Sequence, residues 1–296
     1  MRGMGTGNES LAIVLVLVSA ACHASWNLLT KRSADPLAFL VSIGATGGIV
    51  YAPVVVWLLL RDGIPTAALP YLAVSAPLEA LYALCLAAAY RNGALSLTYP
   101  VARGTGVLLV PLLAVPFLDE RISPIDGLGI LTILGGILTI SVLAQRSVVA
   151  HELVRGRRGV RFALLTGLCI TSYSLVDKVG VQHANPLVYV YGAIVGSTLL
   201  ILPYVLLRRR AALLDVLRTR RRDVLIAGVL HVGTYLVVLA AMRIEGANVS
   251  TIVPLRETSI VFATILGALV LREPVGRLRV LGSVIIASGV ILIALG

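Results

Sequence analysis

Residues 94–120 read ALSLTYPVARGTGVLLVPLLAVPFLDE, and residues 247–273 read ANVSTIVPLRETSIVFATILGALVLRE. Each stretch is long and apolar enough to cross ~30 Å of hydrocarbon as a helix. Each also carries an arginine near its middle, Arg103 and Arg256. A charge at that depth costs at least ~2.5–3.5 kcal/mol on insertion scales, so it faces a partner or a wet cavity. Laid side by side without a gap, Gly93 falls on Gly246, Thr98 on Thr251, Thr105 on Thr258 and Glu120 on Glu273. The match continues through Gly129 on Gly282 and Gly136 on Gly289. Two copies of a membrane helix, each with a mid-span arginine, mark a duplicated membrane protein.

The composition agrees. Of 296 residues, 58% are hydrophobic and 13% charged, where a soluble domain carries about 25% charged residues. The apolar blocks are hydrophobic all round rather than on one helical face, which excludes a soluble protein with a large core. The net charge of +11 comes largely from two short connections, Arg155–Arg161 and Arg208–Arg222. Basic loops flanking apolar spans mark the cytoplasmic face, so the expected neighbours are anionic lipid headgroups and not nucleic acid. Cys22, Cys85 and Cys169 all lie in apolar segments. Their odd number and wide spacing argue against a disulfide framework or a zinc site. No metal or other cofactor is expected.

The spacing predicts ten spans: 11–29, 37–60, 69–90, 94–118, 124–144, 162–179, 186–207, 224–242, 247–271 and 280–295. The first resembles a signal peptide, with Ser19-Ala20-Ala21-Cys22 hinting at a lipoprotein cleavage site. Its later half, SWNLLTK, recurs as SYSLVDK, with Trp26 on Tyr173 and Lys31 on Lys178, so it belongs to the fold. The second and seventh spans follow Asp35-Pro36 and Asn185-Pro186. Each carries a small-residue pair, Gly44/Gly48 and Gly192/Gly196, suited to close helix packing. The expected fold is an all-α membrane protein of ten transmembrane helices in two five-helix repeats, 11–144 and 162–295, joined by a basic loop, 145–161. Five is odd, so the second repeat is inverted, and inverted repeats place a substrate site near the midplane between the halves. The positive-inside rule puts the basic loops in the cytoplasm and both termini outside.

HASWNLLTKR near the start, LSLTYPVARGTG with FLDERISPIDGLGILTILGGILTI, and STIVPLRETS with LVLREPVGRLRVLGSVIIASGVILI together resemble an EamA-type member of the drug/metabolite transporter superfamily. The resemblance covers residues 11–295 and implies a ten-helix basket around a central cavity. The third, fourth, eighth and ninth helices would line most of it. Such proteins often have both termini inside, against the charge count. They move amino acids, sugars, nucleotide sugars, drugs or lipid-linked sugars. The paired mid-span arginines depart from the general family pattern.

Candidate substrate-binding residues follow from the buried polar groups. Arg103 and Arg256 offer rigid donor forks for a carboxylate, phosphate or phosphonate, or else an internal ion pair with Glu79 or Glu257. Glu79 is a lone membrane carboxylate, suited to proton coupling or to neutralising Arg103. Tyr82 and Tyr235 match across the repeats and are expected in the cavity wall, with Trp26, Asn27, Tyr173 and His231 as further candidates. His23 reads as a core histidine, and Asp177 and Lys178 as residues reaching the interface from a helix end. Glu120 and Glu273 are given structural or gating roles. The expected function is secondary transport of a small organic metabolite bearing an anionic group, by export or exchange, across a bacterial cytoplasmic membrane. Proton-coupled amine efflux and lipid-linked substrate flipping are the alternatives. Dimerisation is left open. No phosphate-binding loop suggests ATP hydrolysis, and no general acid–base constellation suggests an enzyme.

Overall fold

The computed structural model describes residues 6–92, 95–141, 157–262, 265 and 276–295. Their regular structure is helical: α1 (Thr6–Lys31), α2 (Pro36–Asp62), α3 (Leu69–Asn92), α4 (Leu95–Leu118), α5 (Pro124–Ser141), α6 (Arg157–Gly180), α7 (Pro186–Arg208), α8 (Arg210–Thr219), α9 (Arg221–Met242), α10 (Val249–Arg256) and α11 (Arg277–Leu295). Seven of these stretches are long and apolar enough to span a bilayer, and two shorter ones, Pro124–Ile140 and Val280–Leu295, are also apolar. Large side chains such as Ile49, Leu60, Phe117 and Leu207 are exposed on the outer faces, as expected for a multi-pass membrane protein whose solvent is lipid.

The helix starts are encoded locally. Asp35 precedes Pro36, and its carboxylate accepts from the amides of Leu37 and Ala38, both at 3.1 Å. Asn185 repeats the device before Pro186, accepting from Leu187 N at 2.9 Å. Ser123 and Asp126 form a reciprocal box at the start of α5, with bonds of 3.1 and 3.2 Å.

Two expectations change. The predicted ninth span, 247–271, is not one regular helix through its described part. It holds α10, turns at Glu257 and Thr258, and resumes through Phe262. Across the turn the amides of Glu257, Thr258, Ile260 and Val261 bond three residues back, at 2.9–3.1 Å. This is the tighter 3₁₀ pattern that marks a strained or functional break. Pro254, which lacks an amide hydrogen, removes one rung just before it. The second change is α8, which forms inside a segment read as connection. Its apolar residues fall on one side, and Leu213 and Val216 are buried.

Small residues bring the helices together. The Gly44/Gly48 pair of α2 lies against Thr198 and Val195 of α7, while Gly192 and Gly196 lie against Leu72 and Ala76 of α3. On α5 and α11, Gly129 faces Gly289 and Gly136 faces Gly282. A Cβ on Gly136 would stand 2.8 Å from the Gly282 carbonyl oxygen, whereas one on the neighbouring Gly135 would meet nothing within 4 Å. Gly136→Ala is therefore expected to cost about 1–3 kcal/mol through overpacking. Gly135→Ala is expected to be neutral or to add up to about 1 kcal/mol. Thermal unfolding of the two purified variants in detergent checks this, and equal effects would contradict the crossing.

Candidate functional site

A cavity extends from the middle of the bundle toward the end that carries the α1–α2 turn and α8. Water centres can occupy about 80 Å³ of it, room for more than one ordered water. Its wall draws Ser19, His23 and Trp26 from α1, Glu79 and Tyr82 from α3, Tyr173 from α6, His231 and Tyr235 from α9, and Arg256 from α10. Ser19, His23 and Trp26 are spaced by four and three residues, so they share one helical face. Tyr173 packs edge-on to both Tyr82 and Tyr235, with centroid separations of 5.9 and 6.1 Å.

The two arginines are not equivalent. Arg103 is buried, and its Nη1 donates to Glu257 Oε1 at 2.9 Å across the two halves of the chain. Its Nη2 lies 2.6 Å from His23 Nε2. A guanidinium only donates, so this ring nitrogen is the acceptor and the imidazole proton sits on Nδ1. Arg256 instead reaches the cavity. It makes no ion pair with any described residue, its Nε has no hydrogen-bond partner, and its guanidinium stands 5.9 Å from the Tyr235 ring centroid. Trp26 stacks edge-on with His23 and His231 at 4.7 and 4.8 Å. Trp26 Nε1 and His231 Nδ1 are both without a partner among the described residues.

The candidates thus divide. Arg256, Glu79, Tyr82, Tyr235, Trp26, Tyr173 and His231 converge on the cavity. Arg103 and Glu257 lie behind it as a buried pair, and Asn27 spends its amide on the His23 carbonyl of its own helix at 3.0 Å.

The opposite end is closed by polar contacts. Glu120 accepts from Val249 N at 2.7 Å, Ser250 N at 3.0 Å and the Ser250 hydroxyl at 2.5 Å, a carboxylate set at the positive end of α10. These contacts at a helix terminus give Glu120 a structural part. Its counterpart, Glu273, lies outside the described residues. Lys178 does not reach an interface. Its Nζ donates to the Met242 carbonyl at 2.7 Å and to that of Ala247, fixing the α9–α10 turn. Asp177 is likewise fully enclosed, not interfacial, because the hydroxyls of Tyr189 and Tyr235 donate to it. Beside the α1–α2 turn Arg209 pairs with Asp35, and Arg220 bonds Asp223 at 2.7 Å and the Leu29 carbonyl at 3.2 Å.

Residues 157–295 match the family model described as the EamA-like transporter family. Over that stretch the chain is similar to this family of transporters. A solved crystal structure shares the fold, with TM-score 0.71 at 17% identity over 96% of this chain and 97% of its own. No curated protein matches the chain in sequence. In this EamA-like chain, His23 and Asp177 are the two site-region residues that the sequence reading undervalued. Their spacing did carry a signal: His23 lies one turn from Ser19, and Asp177 one turn from Tyr173, on cavity-facing stripes.

Removing one member of a buried ion pair typically costs about 3–5 kcal/mol, because the other charge is left unpaired. Glu257→Ala is expected to destabilise by that amount. Arg103→Met combined with Glu257→Leu is expected to cost less than the sum of the two single changes. A double-mutant cycle by thermal unfolding decides, with additivity as the contrary result.

Proposed function

We propose that this EamA-like chain is a secondary transporter that moves a small organic metabolite by alternating access and holds the substrate's anionic group on Arg256. The carrying observation is the division of labour between the arginines. Arg103 is neutralised by Glu257, while Arg256 lines the cavity and makes no ion pair with any described residue. A guanidinium surrounded by low-dielectric walls binds a carboxylate, phosphate or phosphonate far more strongly than it would in water. Trp26, Tyr82, Tyr173 and Tyr235 supply ring surface for an apolar body, and the free nitrogens on Trp26 and His231 supply orienting contacts.

The architecture proposed for this cycle is ten spans in two inverted repeats, in the bacterial cytoplasmic membrane. The packing pattern supports it: α1 lies on α9 and α3 on α6, while α2 meets α7 and α5 meets α11. With α6, α7, α9 and α11 standing for α1, α2, α3 and α5, the set maps onto itself when the halves are exchanged. The crossed pairing of Gly129 with Gly289 and Gly136 with Gly282 runs antiparallel, as inversion requires. Motion of one half against the other then carries the midplane site from face to face.

One observation favours a second reading, proton-coupled efflux of an amine. Glu79 also lines the cavity without an ion-pair partner among the described residues, and four aromatic rings near it suit a cation. The two readings separate in one experiment, the thermal stability of the purified protein against amino acids, phosphates, phosphonates, dicarboxylates and organic amines. A ligand at 100 times its dissociation constant adds about 2.7 kcal/mol. Stabilisation by anions that vanishes in Arg256→Ala is the expected result. Stabilisation by amines alone, lost in Glu79→Gln, would replace the anion reading.

A further inference from the structure

We propose that Asp177 is the proton-binding site of the transport cycle and that Tyr235 links it to the substrate cavity; this rests on the transporter reading above. Asp177 lies near the end of α6, with none of its surface exposed. Tyr189 of α7 donates to it at 2.9 Å, and the Tyr235 hydroxyl of α9 donates to its other oxygen. No cation pairs with it among the described residues. The groups around it are all otherwise engaged. Lys178 is turned to the Met242 and Ala247 carbonyls, Arg103 of α4 is held by Glu257 and His23, and Arg256 of α10 stands against the Tyr235 ring. Glu79, on α3, contributes a second carboxylate of the same sign nearby.

A carboxylate fully buried among apolar spans without a cation from the described residues is neutralised most cheaply by a proton. The neutral acid needs an acceptor for that proton. Ser75 of α3, fully buried, brings a third hydroxyl to Asp177, beside Tyr189. A hydroxyl donates or accepts as it rotates, so the pocket can serve the carboxylate with three donors and the neutral acid with two donors and one acceptor.

The other repeat shows that closing a bundle end does not itself require this chemistry. By the spacing of the matched segments, Thr30 stands where Asp177 does, Phe39 where Tyr189 does, and Tyr82 where Tyr235 does. The Thr30 hydroxyl is spent on the Trp26 carbonyl at 3.0 Å. Only the second repeat carries the carboxyl. When the Asp177 end opens, Tyr189 and Tyr235 part from it and water enters. The acid then gives its proton to that water as an anion, and reclosing takes one proton back. Tyr235 shares its ring with the cavity wall beside Arg256, so cavity occupancy is transmitted to its hydroxyl.

Infrared difference spectroscopy of the full chain in lipid reads the protonated-carboxyl C=O band with no substrate present. The expected result is a band component at neutral pH that is lost in Asp177→Asn and retained in Glu79→Gln, a change that removes a separate component. A wild-type spectrum with no component that Asp177→Asn removes would overturn the proposal. The coupling is read from the affinity of a stabilising anion from the panel across about two pH units. By linkage the wild type is expected to change at least about fivefold, with the change flattened in Asp177→Asn and in Tyr235→Phe. An unchanged pH dependence in a folded Asp177→Asn protein would also overturn it. If no anion stabilises the wild type, the anion reading fails, while the infrared band still decides the proton site.

Discussion

A guanidinium held in the middle of a hydrocarbon layer has to be neutralised, and Arg103 achieves this only by reaching across the molecule. Glu257 and His23, its partners, come from a different half of the chain and from a different helix of its own half. The cost of separating such a pair in a low-dielectric interior ties α1, α4 and α10 into one unit. It also fixes which nitrogen of His23 carries the proton, and through His23 the edge on which Trp26 rests. The helical break after Arg256 follows from the same demand. The 3₁₀ turn at Glu257 sets this carboxylate toward Arg103, while its neighbour Arg256 points to the cavity.

Duplication supplied two similar arginines, and the two halves then used them differently. Glu257 stands at the position matched by Gly104, so only one copy brings its own counter-charge. That one difference leaves one arginine in a buried ion pair and the other on the cavity wall. The closing layer at the far end is asymmetric in the same sense, with Asp177, Tyr189 and Tyr235 opposite Thr30, Phe39 and Tyr82.

Motion also depends on how the helices are held. Inside lipid there is little apolar driving force between helices, so close approach relies on small residues and van der Waals contact. The Gly129–Gly289 and Gly136–Gly282 crossings set α5 against α11 at backbone distance, and Gly47 against Gly228 does the same for α2 and α9.

The sequence by itself determined the membrane class, the duplication and most of the helix limits, because hydrocarbon thickness, Asp35-Pro36, Asn185-Pro186 and the Ser123–Asp126 box act within a few residues. It also marked seven of the cavity residues, since buried polar groups are rare in apolar spans and stand out singly. Only the tertiary structure decided how Arg103 is paired, since its partner lies 154 positions away and Glu79 was an equal candidate on sequence. It likewise decided that Asp177 is enclosed rather than interfacial, and that the span beginning at Ala247 breaks at Glu257. Each of these depends on what packs against the helix, and helical periodicity carries no information about a neighbour that is distant in the chain.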